Sequence, residues 1–442
     1  MKRPGAGGSI PGAGGPPARV PRTAAPPRAK APRTAPARAA SSRRGGARAA
    51  RGAKPRPAPV SALRPAEVLH LVETVLSQPT APFREGAVIR TVLRFVAARP
   101  HLAVRVDADG NLLLRRRAVR PTPTPLVLVA HMDHPGFHAV SCRRLGKRHR
   151  VEARFLGGVR ASYFAGARVR FFTDAGEVRA RCLRVRPDPR SGDLAAVLEA
   201  AAPVPAGSFG MWDLPPFRRR RVAGGERIES RAVDDLVGVA AGLALLGASE
   251  RIDPARRTDV RLLLTRAEEV GFVGALAAAT ARRLPPGARI LSLEASKALA
   301  NARQGDGPIL RVGDRTSSFD DGLLRWIGRS AARLAGPRGD RFRWQRRLMD
   351  GGTCEATAFQ LFGFRCAGLC VPLGAYHNMG DDGRVRAESI RTDDVLGLVR
   401  LLEALVRDDA DCPRPGTPDP LRARLDAGLR RRRRELAQDP FA

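Results

Sequence analysis

The chain has 442 residues and a formal net charge of +35, with 78 Lys and Arg against 43 Asp and Glu. That length accommodates two domains plus tails, and no apolar run approaches the ~20 residues of a membrane-spanning helix. Six scattered cysteines without a CxxC pair suit a reducing, cytoplasmic setting better than a disulfide framework.

Residues 1–60 carry 14 Lys or Arg and no Asp or Glu, in a background of Pro, Ala, Gly and Ser. Such a segment cannot bury enough apolar surface to offset chain entropy, so a disordered basic tail is expected. It lacks the apolar core of a secretory signal. No aromatic interleaves its arginines to stack on bases, so nucleic-acid binding is disfavoured, although the charge permits it. Order is expected from Ser61. Val68, Leu69, Leu71, Val72, Val75 and Leu76 recur at helical spacing over 65–77, and Val88, Ile89, Val92, Leu93 and Val96 do so over 84–98. His101–Arg105 and Asn111–Leu114 flank the turn Asp107-Ala108-Asp109-Gly110 and predict a hairpin. Leu126–Ala130 is a continuous apolar run, expected for a strand covered on both faces. In open α/β sheets the ends of such strands collect active-site residues.

From about 140 to 228 the texture changes to short β-like pieces (Val151–Phe155, Ala167–Phe172, Glu177–Val185, Ala195–Glu199) between Gly, Pro and Asp turns. An α/β pattern then resumes, with helix 234–246, strand Val260–Thr265, helix 272–283, strand Ile290–Leu293, strand Ala367–Val371 and helix 391–407. Arg430–Arg434 end a further helix. The expected architecture is α/β: a mixed-sheet, zinc-peptidase-like catalytic domain with helices on both faces. Its two parts, 61–139 and 229–410, are interrupted by a β-rich inserted domain over 140–228, and a basic extension covers 411–442.

Five segments place histidines or carboxylates where strands should end. His131-Met132-Asp133 could bind a metal through the imidazole while the carboxylate orients the ring. Asp234-Asp235 precedes an apolar helix, where a cap and a carboxylate bridging two cations are both open. Glu268-Glu269 follow the strand LLLT, and charges buried there are costly unless paired or metal-bound; adjacent side chains diverge, so one could bind metal and the other act as a base. Glu294 ends another strand, and His377 follows the apolar stretch 368–372. Two histidines and three carboxylates match the ligand count of a two-metal hydrolase, with one glutamate left over.

The pieces AHMDHPGF (130–137), AVDDLVGV (232–239), TRAEEVGFVGA (265–275), GDGPILRVGDRTSS (305–318), GGTCEATAF (351–359) and PLGAYHN (372–378) resemble, in order, the TET-type, glutamyl-aminopeptidase-like family of dinuclear metallo-aminopeptidases. DADGNLLL (107–114) and the strand ending in Glu294 also match, so the likeness spans roughly 65–408. The resemblance implies that Asp234 bridges two divalent ions, zinc or alternatively cobalt. His131 and Glu294 would complete one site, and Glu269 and His377 the other. Asp133 would orient His131, and Glu268 would be the general base for a metal-bridging water. Peptide substrates and a homo-oligomer built from dimers are implied too, with the β-rich insertion at the position of the family's dimerisation domain. The chain departs from the pattern at Asp133-His134-Pro135-Gly136, where the family often has Asp-Glu-Ile-Gly. It departs again at Cys354, where Asp is usual, and at Glu294, which is one methylene longer than the usual Asp. His134 and His138 match no family ligand and are assigned to the rim or the fold. Two other readings are an amidohydrolase or deacylase on the same fold, and a nucleic-acid-binding protein on an inactive hydrolase scaffold.

Overall fold

The structure is a computed structural model that describes residues 61–414 and 420–437; the expectations for the basic tail, residues 1–60, lie outside them. Helices α1 (Pro65–Leu76) and α2 (Gly86–Ala97) precede the hairpin β1 (Leu102–Val106) and β2 (Leu112–Arg116), and then β3 (Leu126–His131). Six strands follow: β4 (Gly136–Leu145), β5 (Arg148–Leu156), β6 (Arg168–Thr173), β7 (Gly176–Pro187), β8 (Leu194–Ala200) and β9 (Phe209–Trp212). The chain continues through β10 (Arg218–Val222), β11 (Gly225–Ser230), α3 (Leu236–Gly247), α4 (Ser249–Ile252), β12 (Val260–Thr265), α5 (Val273–Thr280) and β13 (Arg289–Lys297). Then come β14 (Ile309–Asp314), α6 (Asp321–Ala335), β15 (Gln345–Met349), α7 (Glu355–Leu361), β16 (Arg365–Leu373), β17 (Glu388–Arg391), α8 (Thr392–Arg407) and α9 (Pro420–Leu436).

The main sheet has eight strands in the order β1-β2-β12-β3-β13-β16-β14-β15. It is mixed, as expected: β12, β3, β13 and β16 run parallel, while β1 with β2, β2 with β12, and β14 with β16 are antiparallel. β3 and β12 are buried along their whole length, which is why both are uninterrupted apolar runs. α3 packs on β3, β12 and β13 and touches α8, which in turn meets α6; α5 and α7 pack together, with α7 against β13 and β16. Helices therefore cover the sheet in two separate groups, the two-faced arrangement expected for this class. α3 is apolar around its circumference and buried from Leu236 to Leu246, as a helix enclosed on every side must be. Gly242 permits the close approach, since a Cβ there would sit 2.5 Å from Leu262 Cδ1.

Strands β4 to β9 close into a barrel in the order β4-β5-β8-β7-β6-β9. Alternate residues point inward, and Phe137, Phe155, Phe164, Phe171 and Trp212 fill the interior, with Phe137 and Phe155 edge-to-face at 4.8 Å. β10 and β11 do not join this barrel; they form a three-stranded sheet with β17. No helix among the described residues is long and apolar enough to cross a membrane.

Candidate metal centre

The parallel strands deliver their carboxyl ends to one edge of the sheet, and the expected residues gather there. His131 ends β3 in register with Thr265 of β12, and Glu268 and Glu269 lie in the turn after that strand. Glu294 lies in β13 opposite Cys370 of β16, and His377 follows β16 in a short turn. Asp234 arrives from the loop before α3. These connections bend sharply: Ala267, Ala375, His377 and Asn378 all have positive φ.

His131 Nε2 lies 3.5 Å from Asp234 Oδ1 and 3.8 Å from Glu268 Oε2. His377 Nε2 lies 3.1 Å from Glu269 Oε2 and 3.8 Å from Asp234 Oδ2. Each imidazole thus faces a different oxygen of Asp234. The ligand atoms of His131, Asp234 and Glu294 all lie within 4.8 Å of one another, and so do those of Asp234, Glu269 and His377. His131, Glu268 and Glu269 make a third such group. Asp234 Oδ1 and Glu269 Oε1 are buried without a hydrogen-bond partner, a costly state that a cation relieves. Imidazole nitrogens and carboxylate oxygens in this number suit zinc or cobalt.

The cluster titrates as a crowded set of acids around two imidazoles. Burial alone would depress His131, but Glu268, Asp133 and Asp234 outweigh it and hold the ring well above its usual value. His377 is likewise raised to about 9, with Glu269 and Asp234 overcoming burial. Burial pushes Glu268 well up, against His131 and with the repulsion of Glu269, Glu294 and Glu355. It raises Glu294 to about 7 even though the Arg311 guanidinium opposes it. Without cations, these groups compete for protons.

Asp133 sits behind the cluster, fully buried. Its carboxylate accepts hydrogen bonds from the backbone N–H groups of Glu268 (2.9 Å) and Glu269 (3.2 Å), and lies 3.6 Å from His131 Nδ1. Asp235 is the helix cap: its side chain accepts from Gly238 N–H, while the Asp234 carboxylate faces the two imidazoles. His134 makes a ring contact to the Asp234 carbonyl at 2.8 Å and another to Asn378 Oδ1 at 3.0 Å, linking two ligand-bearing loops from within the fold. His138 lies on the barrel strand β4, and burial followed by the Arg84 charge lowers it to about 4. Three partners escaped sequence reasoning. Glu388 accepts from the backbone of Val233, Asp234 and His377. The Gly158 carbonyl lies 2.9 Å from His377 Nδ1. Arg311, nearly buried, donates to Ser296 Oγ beside Glu294. A backbone carbonyl leaves no sequence signal, and neither Glu388 nor Arg311 ends an apolar strand, the pattern that marked the other residues.

The cluster opens into a cleft of about 740 Å³ whose wall includes Phe272, Lys297, Arg315, Met349 and Tyr376. Residues 200–392 match the model of the M42 glutamyl aminopeptidase family. Over that stretch the chain is similar to the M42 family. No curated protein matches its sequence. Among solved structures, the TET1 peptidase of Pyrococcus horikoshii is similar at TM-score 0.62 and 20% identity, over 77% of this chain and 99% of that one. The aminopeptidase APDkam598 of the archaeon Desulfurococcus kamchatkensis is similar at TM-score 0.62 and 20% identity, over 77% and 95%. An M18-family aminopeptidase of Thermotoga maritima is similar at TM-score 0.56 and 13% identity, over 77% and 96%. At these identities the structural likeness speaks for the fold of the chain.

Proposed function

We propose that the chain is a two-metal aminopeptidase that removes N-terminal residues from peptides. The observation that carries this reading is the pair of ligand groups sharing Asp234, with Glu268 beside them. His131, Asp234 and Glu294 would hold one divalent ion, and Asp234, Glu269 and His377 the other, with zinc favoured by the donor set. Such ions lower the pKa of water from 15.7 towards ~7 and polarise a carbonyl.

The protein's own groups do the rest. Glu268 takes a proton from the attacking water and passes it to the leaving amine; its raised carboxyl pKa brings proton affinity nearer the working pH. Asp133 fixes the turn that carries this base. Lys297 and Arg315 line the cleft with no ion-pair partner among the described residues, and on that ground we assign a preference for acidic N-terminal residues. The TET1 peptidase of similar fold is described as assembling into a tetrahedron or an octahedral shell. By that analogy we propose a cytoplasmic homo-oligomer, with the barrel as the dimerisation domain inserted between two parts of the catalytic domain.

The test is hydrolysis of free-amine peptides by chelator-treated protein reloaded with zinc or cobalt, beside their N-acylated counterparts. Glu268→Gln should retain both ions and lose about 10²–10⁴ in kcat. Turnover restricted to N-acylated amino acids would transfer the chain to the deacylases. Unchanged turnover in the variant would remove Glu268 from the base role.

A further inference from the structure

Two carboxylates hold the turns of the cluster, and each does so through backbone N–H groups. Asp133 serves the turn of Glu268 and Glu269 and stands beside His131. Glu388, on β17 and fully buried, serves two other turns. One oxygen accepts from Val233 N–H at 2.6 Å and Asp234 N–H at 3.2 Å; the other accepts from His377 N–H at 2.9 Å. β17 is itself anchored by antiparallel pairing to β11, with Ser230 opposite Glu388. The carboxylate therefore joins Asp234 to His377 from a fixed platform.

We propose that Glu388 is the positioning residue for the cation site of Asp234, Glu269 and His377, and that it sets the affinity of this site separately from its neighbour. The assignment rests on the two-ion reading above. Regular secondary structure does not place His377: Ala375, His377 and Asn378 each have left-handed backbone, and the bond to Glu388 anchors the residue itself. The neighbouring site draws on other supports. His131 ends a strand held on both sides by its sheet partners, and Glu294 lies inside β13, paired along β16. Neither hydrogen-bonds to Glu388. Asp234 belongs to both sites, but only one of them also needs His377. Loss of the carboxylate should thus weaken one ion far more than the other.

The experiment is a calorimetric zinc titration of the chelator-treated full chain. Wild type should bind two ions. Glu388→Gln keeps the shape but presents an amide NH₂ to backbone donors; it should bind one ion as wild type does and the second about 10–100-fold more weakly, the usual effect of losing a partner that orients a ligand. Asp394→Asn is the control for a purely structural loss. Asp394 is also buried and accepts two backbone bonds, from Gly305 and Gly307, but it bonds to nothing in the cluster. That variant should lower the thermal midpoint and leave both zinc affinities unchanged. If Glu388→Gln does not fold, Glu388→Asp, one methylene shorter with its charge retained, should show the same asymmetry at smaller size. A folded variant that binds both ions as wild type does, or weakens both equally, overturns the assignment. A wild-type chain that takes up a single ion instead overturns the two-ion reading, and this assignment falls with it.

Discussion

Asp133→Asn tests how far the site depends on a side chain that is not itself a candidate ligand in any of the three groups. The wild-type carboxylate is fully buried, with Oδ1 accepting from Glu268 N–H at 2.9 Å and Oδ2 from Glu269 N–H at 3.2 Å. Asparagine has the same shape but a single acceptor, so one backbone N–H is left facing an NH₂ group. A hydrogen bond to a charged group contributes about 1.5–3 kcal/mol, and leaving a buried donor unmade costs a similar amount. We therefore expect a destabilisation of about 1.5–3 kcal/mol. At 1.36 kcal/mol per decade this is roughly ten- to a hundredfold in the population of the turn that presents Glu268 and Glu269. Zinc affinity and kcat/KM should fall together by about that factor, because the candidate base and a candidate ligand share the turn. Zinc titration, steady-state kinetics on a free-amine peptide and a thermal melt measure the three quantities. A folded Asp133→Asn chain with wild-type zinc affinity and wild-type kcat/KM would refute the argument that these two bonds hold the turn.

Raised pKa values make the metal-free fold sensitive to alkali. His377 moves from 6.5 to about 9 and Glu294 from 4.5 to about 7, so both bind protons more tightly folded than unfolded. Their contribution is complete below the unfolded values and is lost as pH rises through the folded ones. The thermal midpoint of chelated protein should fall between about pH 5 and 9, while zinc affinity climbs over the same range; a midpoint that rises across it would contradict the assignment. Gly242→Ala would place a Cβ 2.5 Å from Leu262 Cδ1. Overpacking of about 1–3 kcal/mol should outweigh the ~1 kcal/mol gain in helix propensity and lower the thermal midpoint; an increase would show that the α3–β12 contact has slack. Substituting alanine for both Lys297 and Arg315 should cut kcat/KM about tenfold or more for peptides beginning with Asp or Glu and spare those beginning with Leu. Equal losses on both would remove these cations from substrate selection.

Legibility followed the chemistry of each position. β3 and β12 were plain because a strand covered on both faces must be apolar throughout, and β5 to β8 of the barrel were plain because their inward residues alternate with charged ones, whereas β4 and β9 went unread. β10 was hidden: Arg218–Arg221 present the same residue to both faces, so alternation vanishes, and Glu226 and Glu229 of β11 balance the charge only after pairing. α6 was missed although Leu323, Leu324, Ile327 and Ala331 recur at helical spacing and are buried. The signal lies between the motifs of 305–318 and 351–359, outside both. The candidate ligands stood out because an acid or a histidine at the end of an apolar strand is unusual, and unusual residues carry information.

The supports did not stand out, for a physical reason. Glu388 acts through main-chain donors that every residue type except proline possesses, so nothing at Val233, Asp234 or His377 points back to it. The same holds for Gly158, whose carbonyl contacts His377 Nδ1. That contact leaves Nε2 free to face Glu269 and Asp234, since a ring nitrogen that donates to a carbonyl leaves the other as the lone-pair donor to a cation. Gly158 lies between barrel strands β5 and β6, so a carbonyl from the barrel favours one tautomer of a candidate ligand that follows β16. A barrel that merely neighboured the site would leave it unchanged on displacement. Here, a shift of the β5–β6 connection would withdraw the carbonyl that partners His377 Nδ1, and the barrel is thereby part of the site's geometry.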